Sequence, residues 1–370
     1  MLGASPHRKA GRDSRNQSDR RWILQLGNRR EFCYRNMGPS PVSQGQSNIN
    51  KSNLARQAGL TWSKSMISRR DFIQATAMSG LALRSLQAAN NETEPQWIDA
   101  HVHVWTPDTK RYPLAESFKA ADMAPTSFTP DELFAHCKSQ GVTKVVLIQM
   151  SFYRFDNQYM LDCIEKHPGV FAGVAIVDEG KSDVVSTMKL LGEKGVRGFR
   201  LYTDRQKASA WKDSYGMKEM WNHAADSGQS MCLLANPDAL PLVNAMCERY
   251  PKTRVVIDHF ARIGVTGTID PIELDYLCGL SKFENVFVKT SAFYALGKKQ
   301  APYTDLGAMI QRLVGEFGAK RLMWASDCPY QVVGGHNYAD SISLIRDRLD
   351  FLSKEDKQWL LRGTAEKVFF

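Results

Sequence analysis

From position 97 to the C-terminus, short apolar runs alternate with longer stretches whose apolar residues recur every three or four positions. The short runs are rich in Val, Ile, Leu and Phe and predict eight strands. They are WIDAHVHVW (97–105), KVVLIQM (144–150), FAGVAIV (171–177) and VRGFRLY (196–202), then SMCLLA (230–235), RVVIDHF (254–260), NVFVKTS (285–291) and RLMWASD (321–327). Helical periodicity predicts helices over 130–140, 157–166, 183–194, 217–227, 238–250, 271–282, 304–317 and 338–349, with a closing helix over 354–369. Strands apolar on both faces, each followed by a helix, imply a parallel sheet covered by helices. Eight such units in roughly 270 residues predict a closed (β/α)8 TIM barrel rather than an open doubly wound sheet. No Gly-rich phosphate loop follows an early strand, which argues against a nucleotide site.

The first 92 residues read differently. Residues 1–65 are rich in Arg, Ser, Asn, Gln and Gly and lack a sustained apolar period, so a disordered tail is expected. Residues 66–92 open with MISRRDFIQ, and a mild apolar stretch and trailing alanines follow. Arg69-Arg70 before that stretch resembles a twin-arginine export signal, which predicts a periplasmic protein; a cytoplasmic one is the alternative. A signal placed so far inside suggests that Met66 is the natural start. The apolar stretch is far shorter than the ~20 residues of a membrane span. Residues 93–370 are then the folded domain.

Charge sharpens this division. The chain's net charge is +9, and residues 1–65 carry 12 Lys/Arg against 3 Asp/Glu, leaving 36 of each in the remainder. That remainder is neutral overall and gives no electrostatic reason to expect nucleic acid. Seven scattered cysteines (33, 137, 163, 232, 247, 278, 328) include no C-x-x-C pair, so buried free thiols are expected rather than a zinc ribbon.

In such a barrel, chemistry sits at the C-terminal ends of the strands. His101 and His103, two apart on the first strand, point to one face. The second strand ends in Gln149, with Tyr153 and Arg154 after it. The fourth ends in Arg200, the sixth in Asp258-His259, the seventh in Lys289 and Ser291, the eighth in Asp327. Each alone reads as a hydrogen-bonded core residue or an ion-paired strut. Their convergence at one end points instead to a site.

The segments IDAHVHVW, VVIDHFAR and MWASDCPY resemble the amidohydrolase-related family over residues 97–370, with GVRGFRLY and NVFVKTSAFY similar to its lactonase branch. The resemblance implies that His101, His103, His259 and Asp327 form the catalytic set and candidate ligands of one zinc-like divalent ion. It departs at the fifth strand, where Asn236-Pro237 stand in place of a further histidine. Two chemistries therefore stay open, one with the ion and one without it, using Arg, His and Lys as electrophiles. The expected reaction is water addition to a lactone or related ester of a small carboxylic or sugar acid, with Asp327 as general base. Arg200, Lys289, Gln149, Tyr153, Arg154 and His336 are the expected substrate contacts, and Trp105 lines the pocket. The rivals are a zinc-dependent decarboxylase of an unsaturated or aromatic acid and a non-catalytic binding barrel.

Overall fold

The computed structural model describes residues 96–370. The expected tail and signal segment, with Cys33, lie outside them. The strands are β1 (Trp97–Val102), β2 (Val142–Ile148), β3 (Phe171–Ala175), β4 (Val196–Thr203), β5 (Ser230–Ala235), β6 (Arg254–Ile257), β7 (Val286–Ser291) and β8 (Leu322–Ala325). They pair in parallel and in sequence order, as eight apolar runs separated by helices require.

Helices α1 (Pro130–Cys137), α2 (Gln158–Lys166), α3 (Val184–Glu193), α4 (Arg205–Trp211), α5 (Tyr215–Ser227), α6 (Leu240–Arg249), α7 (Pro271–Cys278) and α8 (Gly307–Phe317) follow β1 to β7. After β8 come α9 (Tyr338–Ser343), α10 (Lys354–Gln358) and α11 (Thr364–Phe369). The periodicity predicts all but α4, which carries only two buried residues, Ala208 and Trp211, and too little apolar pattern to announce itself. Its cap is nonetheless regular, with Asp204 accepting from the Lys207 N–H. The expected closing helix is broken by a π turn at Trp359–Gly363, where the Trp359 ring lies 2.6 Å from the place a Cβ on Gly363 would occupy.

Ile98, Ala100, Val146, Val174, Val256 and Met323 fill the barrel interior, and Ala365, Val368 and Phe369 of α11 join them. The first residue of β6, Arg254, donates to the Val368 carbonyl at 3.0 Å, so α11 plugs the N-terminal mouth. A second, larger apolar layer lies between strands and helices. All six described cysteines are free and buried, as expected.

The β1–β8 seam is held by few backbone bonds: Asp327 N–H to the His101 carbonyl (2.9 Å) and His103 N–H to the Cys328 carbonyl (2.8 Å). Asp99 completes it. Its Oδ1 accepts from the Ser326 N–H at 2.9 Å and its Oδ2 from the Tyr338 hydroxyl at 2.7 Å. Burial pushes its carboxyl up to about 6 despite these bonds.

Gly216, in the first turn of α5, sits where a Cβ would lie 1.7 Å from the Glu179 carbonyl oxygen. Gly216→Ala is expected to destabilise the barrel by about 3 kcal/mol, read from denaturant unfolding. A wild-type midpoint would mean that the Glu179 segment yields freely.

Candidate active site

The first strand places its histidines by a device that alternation alone does not reveal. Pairing with β2 runs Asp99 to Val145 and then Val102 to Leu147, three steps against two. This bulge switches the facing of the strand, so Ala100 and His101 both point inward. Asp99 is thereby left on the outer face against Tyr338, while His101 and His103 share the interior.

Asp258 and His259 follow the end of β6, and Asp327 follows β8, each inside the predicted run but beyond the strand that forms. The reason is backbone conformation. His259, Phe260, Ala261 and Arg262 have φ of 51°, 52°, 52° and 64°, and Asp327 has 65°. Each L-residue in this left-handed region costs about 1–2 kcal/mol, and strain of this kind concentrates at functional sites. Here it turns His259 and Asp327 over the mouth.

His101 Nε2 and His103 Nε2 lie 3.2 Å apart. Asp327 Oδ1 is 3.5 Å from the first, 3.4 Å from the second and 3.7 Å from His259 Nε2. His259 Nε2 and Asp327 Oδ1 are buried and have no hydrogen-bond partner. The other nitrogens of two imidazoles are engaged: His103 Nδ1 donates to the Ile148 carbonyl (2.8 Å), and His259 Nδ1 contacts Ser291 Oγ (2.8 Å). His103 therefore presents an Nε2 lone pair to the centre. Tyr294, after β7, donates its hydroxyl to Asp327 Oδ2 at 2.7 Å, which aims Oδ1 at the imidazoles.

Burial holds all three imidazoles below the usual histidine range. Burial thus favours their neutral form, the one that binds metals. Burial opposes ionisation of Asp327, but the three facing imidazoles outweigh it and hold its carboxyl below the usual carboxylate range. Burial and the neighbouring Asp327 carboxylate push the Tyr294 phenol well up, so it remains a proton donor.

A tetrahedral ion with bonds of about 2.0–2.1 Å needs donor–donor separations of roughly 3.3 Å. His101 Nε2, His103 Nε2 and Asp327 Oδ1 meet that requirement, and His259 Nε2 faces the same carboxylate oxygen from 3.7 Å; Asp327 Oδ1 and His259 Nε2 are otherwise orphaned. His101, His103 and Asp327 would hold a divalent cation, with His259 beside them as the candidate fourth ligand, without a ligand from β5. Asn236, after β5, is engaged elsewhere and accepts from Arg262 Nη1.

Two expected substrate contacts are engaged with groups of the protein itself. Lys289 is 0% exposed and lies beneath His101, its Nζ 3.0 Å from Asp258 Oδ1 and 3.2 Å from His101 Nδ1. Its ammonium is engaged by these two partners. Gln149 donates through Nε2 to the carbonyls of Arg154 (3.3 Å) and Asp156 (2.6 Å), bracing that loop. Tyr153 and Arg154 line a cavity of about 520 Å³ with Pro113–Ser117, and none of the imidazoles borders it.

Arg200 stays near the centre, with Nη1 on the Gln149 carbonyl at 3.3 Å, and its charge bears on His103 and His259. His336 Nδ1 pairs with the Tyr303 hydroxyl (2.8 Å), and its ring is 6.0 Å from that of Tyr294. Trp105 packs on Tyr330, whose ring is 5.9 Å from His103. Sequence reasoning missed Arg262, Tyr294 and Tyr330. The first two stand three residues after motif positions, His259 and Ser291, and that spacing was the available signal.

The family pattern described as amidohydrolase matches residues 98–370. The chain belongs to the amidohydrolase family. This amidohydrolase is a hydrolase, and similar proteins include the L-fucono-1,5-lactonase of Burkholderia ambifaria, 26% identical over 65% of this chain and 82% of that one. The 2-pyrone-4,6-dicarboxylate hydrolase of Comamonas testosteroni is 28% identical over 68% and 85% of the two chains. In fold, the amidohydrolase matches a 2-pyrone-4,6-dicarboxylic acid hydrolase structure from Pseudomonas putida, with TM-score 0.63 and 24% identity over 74% of this chain and 97% of that one. It also matches a zinc-bound amidohydrolase from Burkholderia multivorans, with TM-score 0.60 and 19% identity over 74% and 99%. Among the described residues, no helix is long and apolar enough to cross a membrane.

Proposed function

We propose that this amidohydrolase opens the ring of a small lactone, with Asp327 as general base. One observation carries the reading: Asp327 Oδ1 is a buried, unpartnered carboxylate oxygen, aimed by Tyr294 at three imidazoles. Relatives named as lactone hydrolases supply the substrate class.

Water, placed between the imidazoles and Asp327 Oδ1, adds its oxygen to the lactone carbonyl carbon while Asp327 takes its proton. The tetrahedral intermediate then collapses with cleavage of the ring C–O bond, and Asp327 returns the proton to the departing alkoxide, giving a hydroxy acid. Arg200 brings positive charge to the side of the centre where the oxyanion develops. A divalent cation held by His101, His103, His259 and Asp327, zinc in this reading, would polarise the carbonyl and acidify water.

Arg200 and Arg262, both less than a tenth exposed, place two guanidiniums about the mouth. That favours a lactone that itself carries a carboxylate, a fit for the planar guanidinium fork. Turnover of a lactone panel by the full chain, each compound paired with its decarboxylated analogue, tests the class. Preference for the neutral analogue would overturn the acidic-substrate reading.

We also infer twin-arginine export from Arg69-Arg70. Replacing both with lysine is expected to leave precursor in the cytoplasm, read by fractionation and immunoblot. Unchanged export of that variant would end the inference.

A further inference from the structure

Beneath the imidazoles lies a buried pair with no place in the reaction above. Lys289 from β7 and Asp258 from the end of β6 are both 0% exposed, their charges 3.0 Å apart. Both address one atom, His101 Nδ1: Lys289 Nζ lies at 3.2 Å and Asp258 Oδ1 at 3.5 Å. Neither carboxylate oxygen of Asp258 makes a hydrogen bond of good geometry with the described residues, and the Phe369 ring of the plug lies 5.5 Å from Lys289 Nζ.

An ammonium has only protons to offer and a carboxylate only lone pairs. The two neighbours therefore demand opposite tautomers of one ring. When Lys289 donates to Nδ1, the imidazole proton sits on Nε2 and points at His103 Nε2, 3.2 Å away. A chain then runs from Lys289 through His101 and His103 to the Ile148 carbonyl, and His101 has no lone pair for a cation. When Nδ1–H instead donates to Asp258, the Nε2 lone pair faces the centre beside those of His103 and Asp327.

We propose that Lys289 and Asp258 are opposed positioning residues that set the tautomer of His101 and thereby the affinity of the four-residue centre for a divalent cation. Asp258 favours the ligating form and Lys289 the cation-free form. The lysine charge adds to its own effect by repelling a cation nearby. This rests on the reading that His101, His103, His259 and Asp327 can hold an ion.

The test is zinc affinity of the full chain, by competition with a chromophoric chelator, for wild type, Lys289→Met and Asp258→Asn. Residues that orient a metal-bound histidine typically change affinity by about 10–100-fold. Lys289→Met is expected to bind zinc about tenfold or more tightly than wild type, and Asp258→Asn about tenfold or more weakly. Opposite signs exclude a merely structural pair, whose loss would weaken binding in both. Where Lys289→Met does not fold, Lys289→Leu, which likewise has no N–H to offer His101, carries the same expectation. A folded lysine variant with unchanged or weaker affinity overturns the proposal and leaves the lactonase reading standing. A wild type without zinc beside a lysine variant that binds it supports the proposal, and two zinc-free proteins overturn both it and the ion-binding reading.

Discussion

Asp327→Asn is expected to lower kcat by about 10²-fold or more while KM and the unfolding midpoint stay near wild type. The substitution isolates charge from shape. Asparagine matches aspartate in volume, still accepts a hydrogen bond from Tyr294, and tolerates the left-handed backbone that φ of 65° imposes here. What it loses is the basic oxygen facing the three imidazoles. If Asp327 only braced buried histidines, the variant would unfold more easily and remain active per folded molecule. Wild-type turnover by a folded Asp327→Asn chain would remove the general base on which the mechanism depends.

His103→Asn is expected to abolish stoichiometric zinc and to lower kcat by a comparable factor. His103 is the ligand whose tautomer the fold has already chosen, since Nδ1 donates to the Ile148 carbonyl and leaves the Nε2 lone pair toward Asp327. Asparagine is too short to place an atom where Nε2 stands. Metal content by elemental analysis, measured beside kcat on the same preparation, decides the outcome. Zinc retained at wild-type level with the rate lost would make His103 an acid–base or hydrogen-bonding group rather than a ligand. A wild type that turns over without bound zinc would leave carbonyl polarisation to Arg200 and the imidazoles, with Asp327 still the base.

The alternation of apolar runs and helical stretches sufficed for the barrel because a parallel strand covered on both faces must be apolar throughout, and this chain repeats that pattern eight times. His101, His103, His259 and Asp327 were legible for the same reason. Polar residues at the ends of such strands have no place in a core, and the barrel brings all strand ends to one mouth. Gln149 and Lys289 were legible as polar residues on strands but not in their role. Nothing local distinguishes a lysine that reaches a substrate from one that pairs with Asp258 below it.

The sequence by itself thus determined the architecture, the order of the strands and the four residues that meet at the mouth. These follow from local periodicity and from hydrophobic burial, both properties of neighbours in the chain. Tertiary structure alone decided the bulge that turns His101 inward, the Asp99 bonds that close the seam, and the Tyr294 bond that aims Asp327. It also decided the rivalry of Lys289 and Asp258 over one nitrogen. Each of these joins residues from different strands or their loops, or depends on a register shift between strands. Hydrogen bonds act over about 3 Å, a scale on which only the closed barrel, and not the spacing of residues along the chain, determines which groups meet.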